Sequence, residues 1–354
     1  MGNITQGNIP DNIRHSIEKD VLSVEVTTRC NSACGHCFAR AGRDAAHDMD
    51  LATAREIAAE GRSLGYRHFH ITGGEPLLWP QLFNLIDEAA AMGYESVFIN
   101  TNGTLLTTEA ARRLADHGGR VSLSISLQGP EELHDRVRGG SFQAALAGLE
   151  SALAAGIGVY VFTTAGKSLL PELPRFAEFL FDTYPAIKDL TLIQLIRVHG
   201  DALDLSEELL SPEDFISLVR MTALLNLYGY RVTVLQNPLA TAASRALNMP
   251  WVAPALPLHR CGGVIVMADG AITLAHSTRE SFGAYGPGAL GGVLASDEYR
   301  KASGPDDDGC AGCRFLSLCR ENAMVRPSEW FRSMGRPGLF CREVLGLAVP
   351  EAEA

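Results

Sequence analysis

Strand-like apolar runs alternate with helix-like segments through the first half of the chain, and this alternation restricts the fold to one class. Residues 50–64 and 141–155 illustrate the helical segments, since they carry Ala, Leu and Glu at helical spacing and begin with Asp or Ser caps. Strands that alternate with helices form parallel βαβ units, and eight such units close a barrel. Six units therefore predict an α/β fold with an open, partial (β/α)6 TIM-like barrel. The six predicted strands cover residues 22–28, 68–73, 96–101, 121–127, 158–164 and 188–196.

Function is expected in the loops that follow these strands, because parallel sheets bind their ligands at the carboxyl ends of the strands. A cysteine-rich loop follows the first predicted strand, and a Gly-Gly-Glu-Pro turn at residues 73–76 follows the second. Ser126 lies at the end of the fourth strand. We therefore expect these three features to lie close together.

The cysteine-rich loop carries Cys30, Cys34 and Cys37 with the spacing C-x3-C-x2-C. An iron–sulfur cluster is normally held by four thiolates, so three thiolates can hold three irons and leave the fourth iron open for an outside ligand. The alternative is a zinc site, but zinc requires four ligands, and only His36 is near enough in sequence to add one. The spacing favours a four-iron cluster with an open iron.

The triplet resembles the signature of radical S-adenosylmethionine (SAM) enzymes. In that family the amino and carboxylate groups of SAM occupy the open iron, and one electron from the cluster cleaves SAM to a 5'-deoxyadenosyl radical. Gly73, Gly74, Glu75 and Pro76 match the family's Gly-Gly-Glu-Pro segment letter for letter. The resemblance implies that this segment binds SAM, with Glu75 as the acceptor for its ammonium group.

Two further segments, residues 99–106 and 121–129, resemble the third and fourth strands of the same family. Ser124 and Ser126 lie two residues apart and share one face of a strand, so both are expected to reach the ribose or the carboxylate of SAM. Asn102 is a candidate SAM ligand, and a simple turn-forming role is equally compatible with the sequence.

Four cysteines near the C-terminus form a second candidate metal site. They are spaced C-x2-C-x5-C with a distant fourth, which fits one iron–sulfur cluster or a tetrahedral zinc. This region resembles the SPASM extension of radical SAM enzymes, which generally carries two auxiliary clusters. Ala275 and Ala323 occupy two positions where that pattern has cysteine ligands, so the resemblance implies one auxiliary 4Fe-4S cluster and two clusters in total. The four predicted ligands are Cys310, Cys313, Cys319 and Cys341.

The pattern of elements changes after the barrel, which predicts further divisions of the chain. A helix at 211–227, a strand at 230–235 and a hairpin around Asp269-Gly270 are expected there. The predicted divisions are an N-terminal extension (1–20), the partial barrel (21–205), a connecting region (206–258) and a small SPASM-like or twitch-like iron–sulfur domain (259–354).

Three residues outside the clusters are candidate catalytic groups. Cys261 is left over after seven cysteines are assigned as ligands, and it is expected to be either a buried small residue or a hydrogen-atom donor to a substrate radical. His199 follows the sixth strand and either faces the substrate cavity or belongs to a solvated turn. His276 stands where sulfatase-maturing relatives carry an acid, so sulfatase maturation is not expected.

Composition and charge exclude several classes of partner. A net charge of -11 disfavours nucleic acid, which is bound through clustered Lys and Arg. No apolar run is long enough to predict a membrane span, and the first residues lack the apolar core of a signal peptide. We therefore expect a cytoplasmic protein, in which the 8 cysteines act as metal ligands or catalytic thiols rather than disulfides.

The resemblance implies an enzyme that needs SAM, a reductant such as flavodoxin or ferredoxin, and a substrate. The favoured hypothesis is modification of a ribosomally made peptide, by epimerisation or cross-linking. The alternatives are radical chemistry on a small metabolite or tetrapyrrole, for example a decarboxylation, and a non-enzymatic Fe-S or zinc binding module. About 20 residues precede the first strand, too few for a leader-binding domain, so a peptide substrate is expected to need a separate leader-peptide-binding protein or direct capture.

Overall fold

The strands among the described residues form a single sheet. The computed structural model describes residues 21–37, 39, 41, 47–196, 205–255, 262–276, 281–303, 312–321 and 339–349. The sheet has 9 strands in the order β7-β6-β5-β4-β3-β2-β1-β8-β9. The strands are β1 (Val21–Glu25), β2 (His68–Thr72), β3 (Ser96–Thr101), β4 (Val121–Ser126), β5 (Gly158–Ala165), β6 (Asp189–Gln194), β7 (Val232–Val234), β8 (Val264–Val266) and β9 (Ile272–Thr273).

The six predicted barrel strands are confirmed as β1 to β6, and each pairs in parallel with the next along the chain. The structure extends this sheet at both edges. Strand β7 pairs in parallel with β6, and β8 pairs in parallel with β1. The predicted hairpin is β8 and β9, which pair antiparallel around a turn closed by a hydrogen bond from the Gly270 N–H to the Met267 carbonyl (2.8 Å). These first residues of the predicted C-terminal domain thus lie in the same sheet as the barrel.

Helices connect the parallel strands. Several begin where the sequence predicts them, because a polar side chain caps the first turn: Asp50 accepts from the Thr53 N–H (3.1 Å) and Thr107 accepts from the Ala110 N–H (3.2 Å). The helices are α1 (Leu51–Ser63), α2 (Leu82–Ala91), α3 (Thr108–Ala115), α4 (Glu131–Arg138), α5 (Phe142–Ala154), α6 (Leu173–Thr183), α7 (Pro212–Leu227), α8 (Pro238–Ala246), α9 (Ala289–Ala295), α10 (Asp297–Ser303), α11 (Leu316–Glu321) and α12 (Leu339–Ala348).

The two faces of the sheet differ in chemistry. Along β5, Val159 and Val161 are fully buried in the apolar core, while Tyr160 and Phe162 point to the opposite face and stay partly exposed. That opposite face also carries Ser122, Ser124 and Ser126 of β4. A half-polar inner face is suited to a cavity, whereas the apolar face packs against helices.

The C-terminal helices pack on the rest of the protein. Helices α11 and α12 both contact α8, and α12 also lies along α7. The close approach is possible because α8 is rich in Ala and Ser, with Ala240, Ala243 and Ser244 fully buried. No helix in the described ranges combines the length and the apolar character needed to cross a membrane.

Candidate active site

The loop after β1 holds the three predicted cluster cysteines in a compact turn. The Cys37 N–H donates to the Cys34 carbonyl (3.3 Å), and the Ser32 N–H donates to the Cys30 Sγ atom (3.4 Å). Burial raises the pKa of the Cys30 thiol, and the negative charges of Glu75, Cys34 and Cys37 raise it further, against the lowering effect of the Ser32 hydrogen bond. Glu75, Cys34 and Cys37 thus lie close enough to Cys30 to influence the ionisation of its thiol.

The turn after β2 packs directly under this loop. The Gly74 N–H donates to the Thr27 carbonyl (2.7 Å) and the Glu75 N–H donates to the Arg29 carbonyl (2.8 Å). A Cβ atom at Gly73 would lie 2.6 Å from the Thr27 carbonyl oxygen, and one at Gly74 would lie 2.2 Å from the Arg29 carbonyl oxygen. Both glycines are therefore required for backbone to approach backbone.

Glu75 lies inside the site and has no exposed surface. Its Oε1 atom accepts from the Thr101 hydroxyl (2.7 Å) and the Leu77 N–H (3.1 Å), and its Oε2 atom accepts from the Asn102 N–H (2.7 Å). Burial raises the pKa of this carboxyl, and the three hydrogen bonds oppose that rise. The carboxylate joins the end of β2 to the end of β3, and Pro76 continues from it as the first residue of a short 3-10 helix.

Asn102 connects the end of β3 to the cysteine loop. Its side-chain amide N–H groups donate to the Asn31 Oδ1 atom (2.8 Å) and the Ser32 hydroxyl (3.3 Å). Its Oδ1 atom accepts from the N–H (2.9 Å) and the hydroxyl (2.7 Å) of Thr104. Asn102 thus forms a turn and also holds the loop that carries the cysteines, while its role as a SAM ligand stays a prediction.

Helix α4 holds the cysteine loop from the other side, a contact that the sequence analysis missed. The Arg138 Nη1 atom lies 3.6 Å from the Cys34 Sγ atom, and its Nη2 atom lies 3.2 Å from the His36 Nε2 atom. The Gly35 N–H donates to the Val137 carbonyl (3.1 Å). The sequence did contain a signal for this helix, because two acids follow Pro130 and Gly139 ends it in the left-handed conformation.

The two serines of β4 have different surroundings. Ser124 is buried and its hydroxyl donates to the Asn100 Oδ1 atom (2.5 Å). Ser126 lies two residues nearer to the carboxyl end and is partly exposed, and its hydroxyl makes no hydrogen bond to the residues that the structure describes. Ser126 is therefore the serine whose hydroxyl is available to a ligand.

His276 lies just after β9 and next to His70 of β2. Burial, and then the neighbouring His70, lower the pKa of His276 to about 3. Burial also lowers the pKa of His70 to about 4, while its hydrogen bond to Asn100 opposes this. The Ser23 hydroxyl lies 3.0 Å from the His70 Nδ1 atom. His276 is thus a neutral, buried imidazole beside a polar row on the inner face of the sheet.

The C-terminal ligand set is described only in part. Cys341 is buried on α12, and Cys319 on α11 and Cys313 just before it are half-buried; all three pack against the apolar core. Cys310, together with Cys261, His199, Asp201 and Ala323, lies outside the described residues. Ala275 is fully buried.

The donor set of the cysteine loop fits an iron–sulfur cluster. Within the described ranges, no group of three His, Cys, Asp or Glu side chains is placed to hold a single metal ion. In an iron–sulfur cluster each thiolate binds a different iron, so the cysteines need not converge on one point. The absence of a site for a single ion therefore does not argue against a cluster. Three thiols on one loop, with a guanidinium beside one of them, suit a group whose irons bind thiolates and whose sulfurs accept hydrogen bonds.

Comparison with known proteins finds a family that part of the chain matches. Residues 24–180 match the radical SAM superfamily. This segment is therefore a radical SAM domain. Such a domain implies SAM and a 4Fe-4S cluster as cofactors, and the matched residues include the cysteine loop, the Gly-Gly-Glu-Pro turn and both serines of β4.

Relatives that resemble this chain in sequence have names that describe different activities. The chain is 32% identical over 203 residues to the mycofactocin maturase MftC of Mycobacterium ulcerans (strain Agy99), covering 56% of this chain and 53% of that protein. It is 34% identical over 167 residues to the Fe-coproporphyrin III synthase of Methanosarcina barkeri (strain Fusaro / DSM 804), covering 46% and 41%. The chain thus spans about half the length, or less, of these curated relatives.

A solved structure extends the likeness to the fold of nearly the whole chain. The structure described as native anSMEcpe with bound AdoMet and Cp18Cys peptide superposes with a TM-score of 0.67 at 14% identity, covering 93% of this chain and 99% of that one. At this identity the likeness concerns the fold alone, and it agrees with the predicted partial barrel.

Proposed function

We propose that this protein is a radical SAM enzyme that reductively cleaves SAM and abstracts a hydrogen atom from its substrate. The observation that carries the proposal is the cysteine loop, which is held by Glu75 and Asn102 on one side and by Arg138 on the other, at the carboxyl end of a parallel sheet. Cys30, Cys34 and Cys37 would hold three irons of a four-iron cluster.

The chemistry that a reduced cluster and SAM supply together is the formation of a 5'-deoxyadenosyl radical. The residues of the chain position those partners. The partly exposed Ser126 hydroxyl is proposed to bind the ribose or carboxylate of SAM, with Ser124 orienting the strand beneath it. The Gly73–Pro76 turn is proposed to bind the SAM ammonium. Glu75 is proposed to be the acceptor for this ammonium group, because its carboxylate accepts three hydrogen bonds and has acceptor capacity for about one more.

The test is production of 5'-deoxyadenosine by the reconstituted protein with SAM and dithionite under anaerobic conditions. We expect product from the parent protein, none when dithionite is omitted, and none from a variant with Cys30, Cys34 and Cys37 all changed to Ala. Product formation by the triple variant at the parent rate would refute the assignment. A parent protein that binds iron without cleaving SAM would favour the non-enzymatic binding module.

The C-terminal cysteines are proposed to hold one auxiliary 4Fe-4S cluster. Cys313, Cys319 and Cys341 pack against the same core, and α11 and α12, which carry two of them, both contact α8. One four-iron cluster at the cysteine loop and one at the C-terminal cysteines together give about eight irons per chain, which iron analysis should find. About four irons with one zinc would show a structural zinc instead, and about twelve irons would show a further cluster.

The substrate is proposed to be a ribosomally made peptide, changed by epimerisation or cross-linking. Support comes from the relative named as a maturase and from the solved fold neighbour described with a bound peptide. A tetrapyrrole is the second candidate, because other relatives are named as a Fe-coproporphyrin III synthase and an AdoMet-dependent heme synthase. Fe-coproporphyrin added to the purified protein should leave the rate of 5'-deoxyadenosine formation unchanged if the peptide proposal is right, and should increase it if the second candidate is right.

Cys261 is proposed to donate a hydrogen atom to the substrate radical if the outcome is epimerisation. In deuterated solvent its exchangeable thiol would deliver one deuterium to the inverted carbon. Cys261→Ala should then lose the label and most of the product while 5'-deoxyadenosine is still formed. Loss of iron in this variant would identify Cys261 as a ligand, and an unchanged labelled product would make it a packing residue. His199 and His276 remain proposed cavity residues, and a flavodoxin or ferredoxin is the proposed electron donor.

A further inference from the structure

Arg138 is a positively charged group that approaches a predicted cluster ligand directly. Its Nη1 atom lies 3.6 Å from the Cys34 Sγ atom, a normal donor distance for the large sulfur atom. Cys34 itself is only 8% exposed. A guanidinium has five N–H donors and no acceptor, so this contact can only be a donation to sulfur.

The other contacts of Arg138 leave its charge facing the cysteine loop. The His36 Nε2 atom, 3.2 Å from Nη2, must be an acceptor, so His36 is neutral with its proton on Nδ1. The ion pairs formed among the described residues do not include Arg138. Its Nε–H is buried and has no acceptor in the described part of the chain, so a donor remains for a group bound at the cysteines.

The position of Arg138 is set by the folding of α4. The Phe142 N–H donates to the Asp135 carboxylate (2.9 Å), and the Gln128 N–H donates to the Nδ1 atom of the fully buried His134 (3.2 Å). These bonds hold the helix to the segment that follows β4, which begins directly after Ser126. The helix that carries Arg138 is therefore fixed to the end of β4, and the guanidinium itself is placed by its contacts with Cys34 and His36.

We propose that Arg138 is a positioning residue that donates a charge-assisted hydrogen bond to the Cys34 thiolate and thereby raises the reduction potential of the cluster at Cys30, Cys34 and Cys37. The inference rests on the proposed function. Reduction adds one negative charge to the cluster, and a nearby cation with N–H donors to sulfur stabilises the reduced form more than the oxidised form. Arg138 thus makes the cluster accessible to a weaker reductant.

The test is an anaerobic redox titration of the reconstituted protein, followed by the electron paramagnetic resonance signal of the reduced cluster. The signal that changes when SAM is added reports on the cluster at Cys30, Cys34 and Cys37, which separates it from an auxiliary cluster. Arg138→Gln should titrate at a lower potential than the parent, and Arg138→Lys, which keeps the charge but loses the planar donor geometry, should lie between them. The matched control is Arg136→Gln, an exposed position on the same helix, which should titrate like the parent.

Equal potentials for Arg138→Gln and Arg136→Gln would overturn the inference while leaving the proposed function intact. If Arg138→Gln does not retain its iron, Arg138→Lys decides alone: a lowered potential supports the inference and an unchanged one overturns it. A parent protein without any SAM-responsive signal would instead refute the proposed function itself.

Discussion

Asp189 shows how a single buried carboxyl makes the stability of this protein depend on pH. It is buried at the start of β6, where the hydroxyls of Thr191 (2.7 Å) and Thr233 (2.8 Å) donate to its two oxygens. Burial raises the pKa of Asp189 to about 6, and these two hydrogen bonds and the charge of Arg231 oppose the rise only in part. The carboxyl therefore ionises inside the protein at neutral pH, at a cost to the folded state.

The sign of the pH effect follows from where the proton is held. The folded protein keeps the proton of Asp189 up to about pH 6, while the unfolded chain releases it near its ordinary pKa of 3.8. The contribution of Asp189 to the free energy of unfolding is therefore largest at acid pH and is lost as the pH rises through 6. On linkage, the loss between about pH 5 and about pH 7.5 amounts to roughly 1 kcal/mol.

Asp189→Asn should remove the pH dependence that Asp189 contributes, because an amide does not ionise. The hydroxyls of Thr191 and Thr233 can rotate to hydrogen-bond the amide. Relative to the parent, the variant should gain roughly 1 kcal/mol of unfolding free energy between about pH 5 and about pH 7.5 in anaerobic urea titrations. Asp182→Asn on the exposed face of α6 is the control and should follow the parent. Parallel pH profiles for Asp189→Asn and the parent would contradict the assignment.

At the scale of elements, the site depends on how closely the loop after β1 packs on the turn after β2. Gly74→Ala places a Cβ atom 2.2 Å from the Arg29 carbonyl oxygen, which is backbone and cannot rotate away. The cysteine loop must then shift, and the iron content should fall from about eight toward about four per chain, with the helical content of the protein preserved. Gly158→Ala is the matched control because its nearest neighbour atoms would lie 3.7 and 3.8 Å away, an ordinary contact. Full iron content in Gly74→Ala would show that the close approach is not needed.

The sequence predicted this assembly to the extent that it follows from local pattern. Hydrophobic runs predicted β1 to β6, and the rule that loops of a parallel sheet meet at one edge predicted that the cysteine loop lies near the turn of Glu75. The sequence could not predict which residues donate hydrogen bonds to Glu75, because a carboxylate that is buried under two loops leaves no periodic signal in the sequence. The contact between Cys34 and Arg138 joins residues 104 positions apart in sequence. Although the sequence carries signals for the helix of Arg138, it does not show that this helix packs on the cysteine loop. Long-range contacts of this kind require the packing of whole elements to be known.

At the scale of the whole molecule, the barrel sheet continues into the C-terminal part of the chain. In β8, Val264 pairs with Leu22 and Val266 pairs with Val24 of β1. A hydrogen bond from the Tyr66 hydroxyl to the Gly262 carbonyl (2.8 Å) adds to this junction. The C-terminal region, predicted from sequence to be a domain of its own, is thus joined to the barrel through main-chain pairing, and we expect the two to unfold together.

Hydrogen exchange in increasing urea tests this coupling in the full chain. Amides of β8 should lose protection at the same urea concentration as those of β1, because the paired strands share one set of hydrogen bonds and one apolar core. Tyr66→Phe removes a buried hydrogen bond of roughly 0.5–1.5 kcal/mol at this junction and should shift both strands together to lower urea. The contrary result is that the amides of β8 lose protection at a much lower urea concentration than those of β1, in the parent or only in Tyr66→Phe. That result would show that the C-terminal region unfolds as a separate unit while the barrel stays folded.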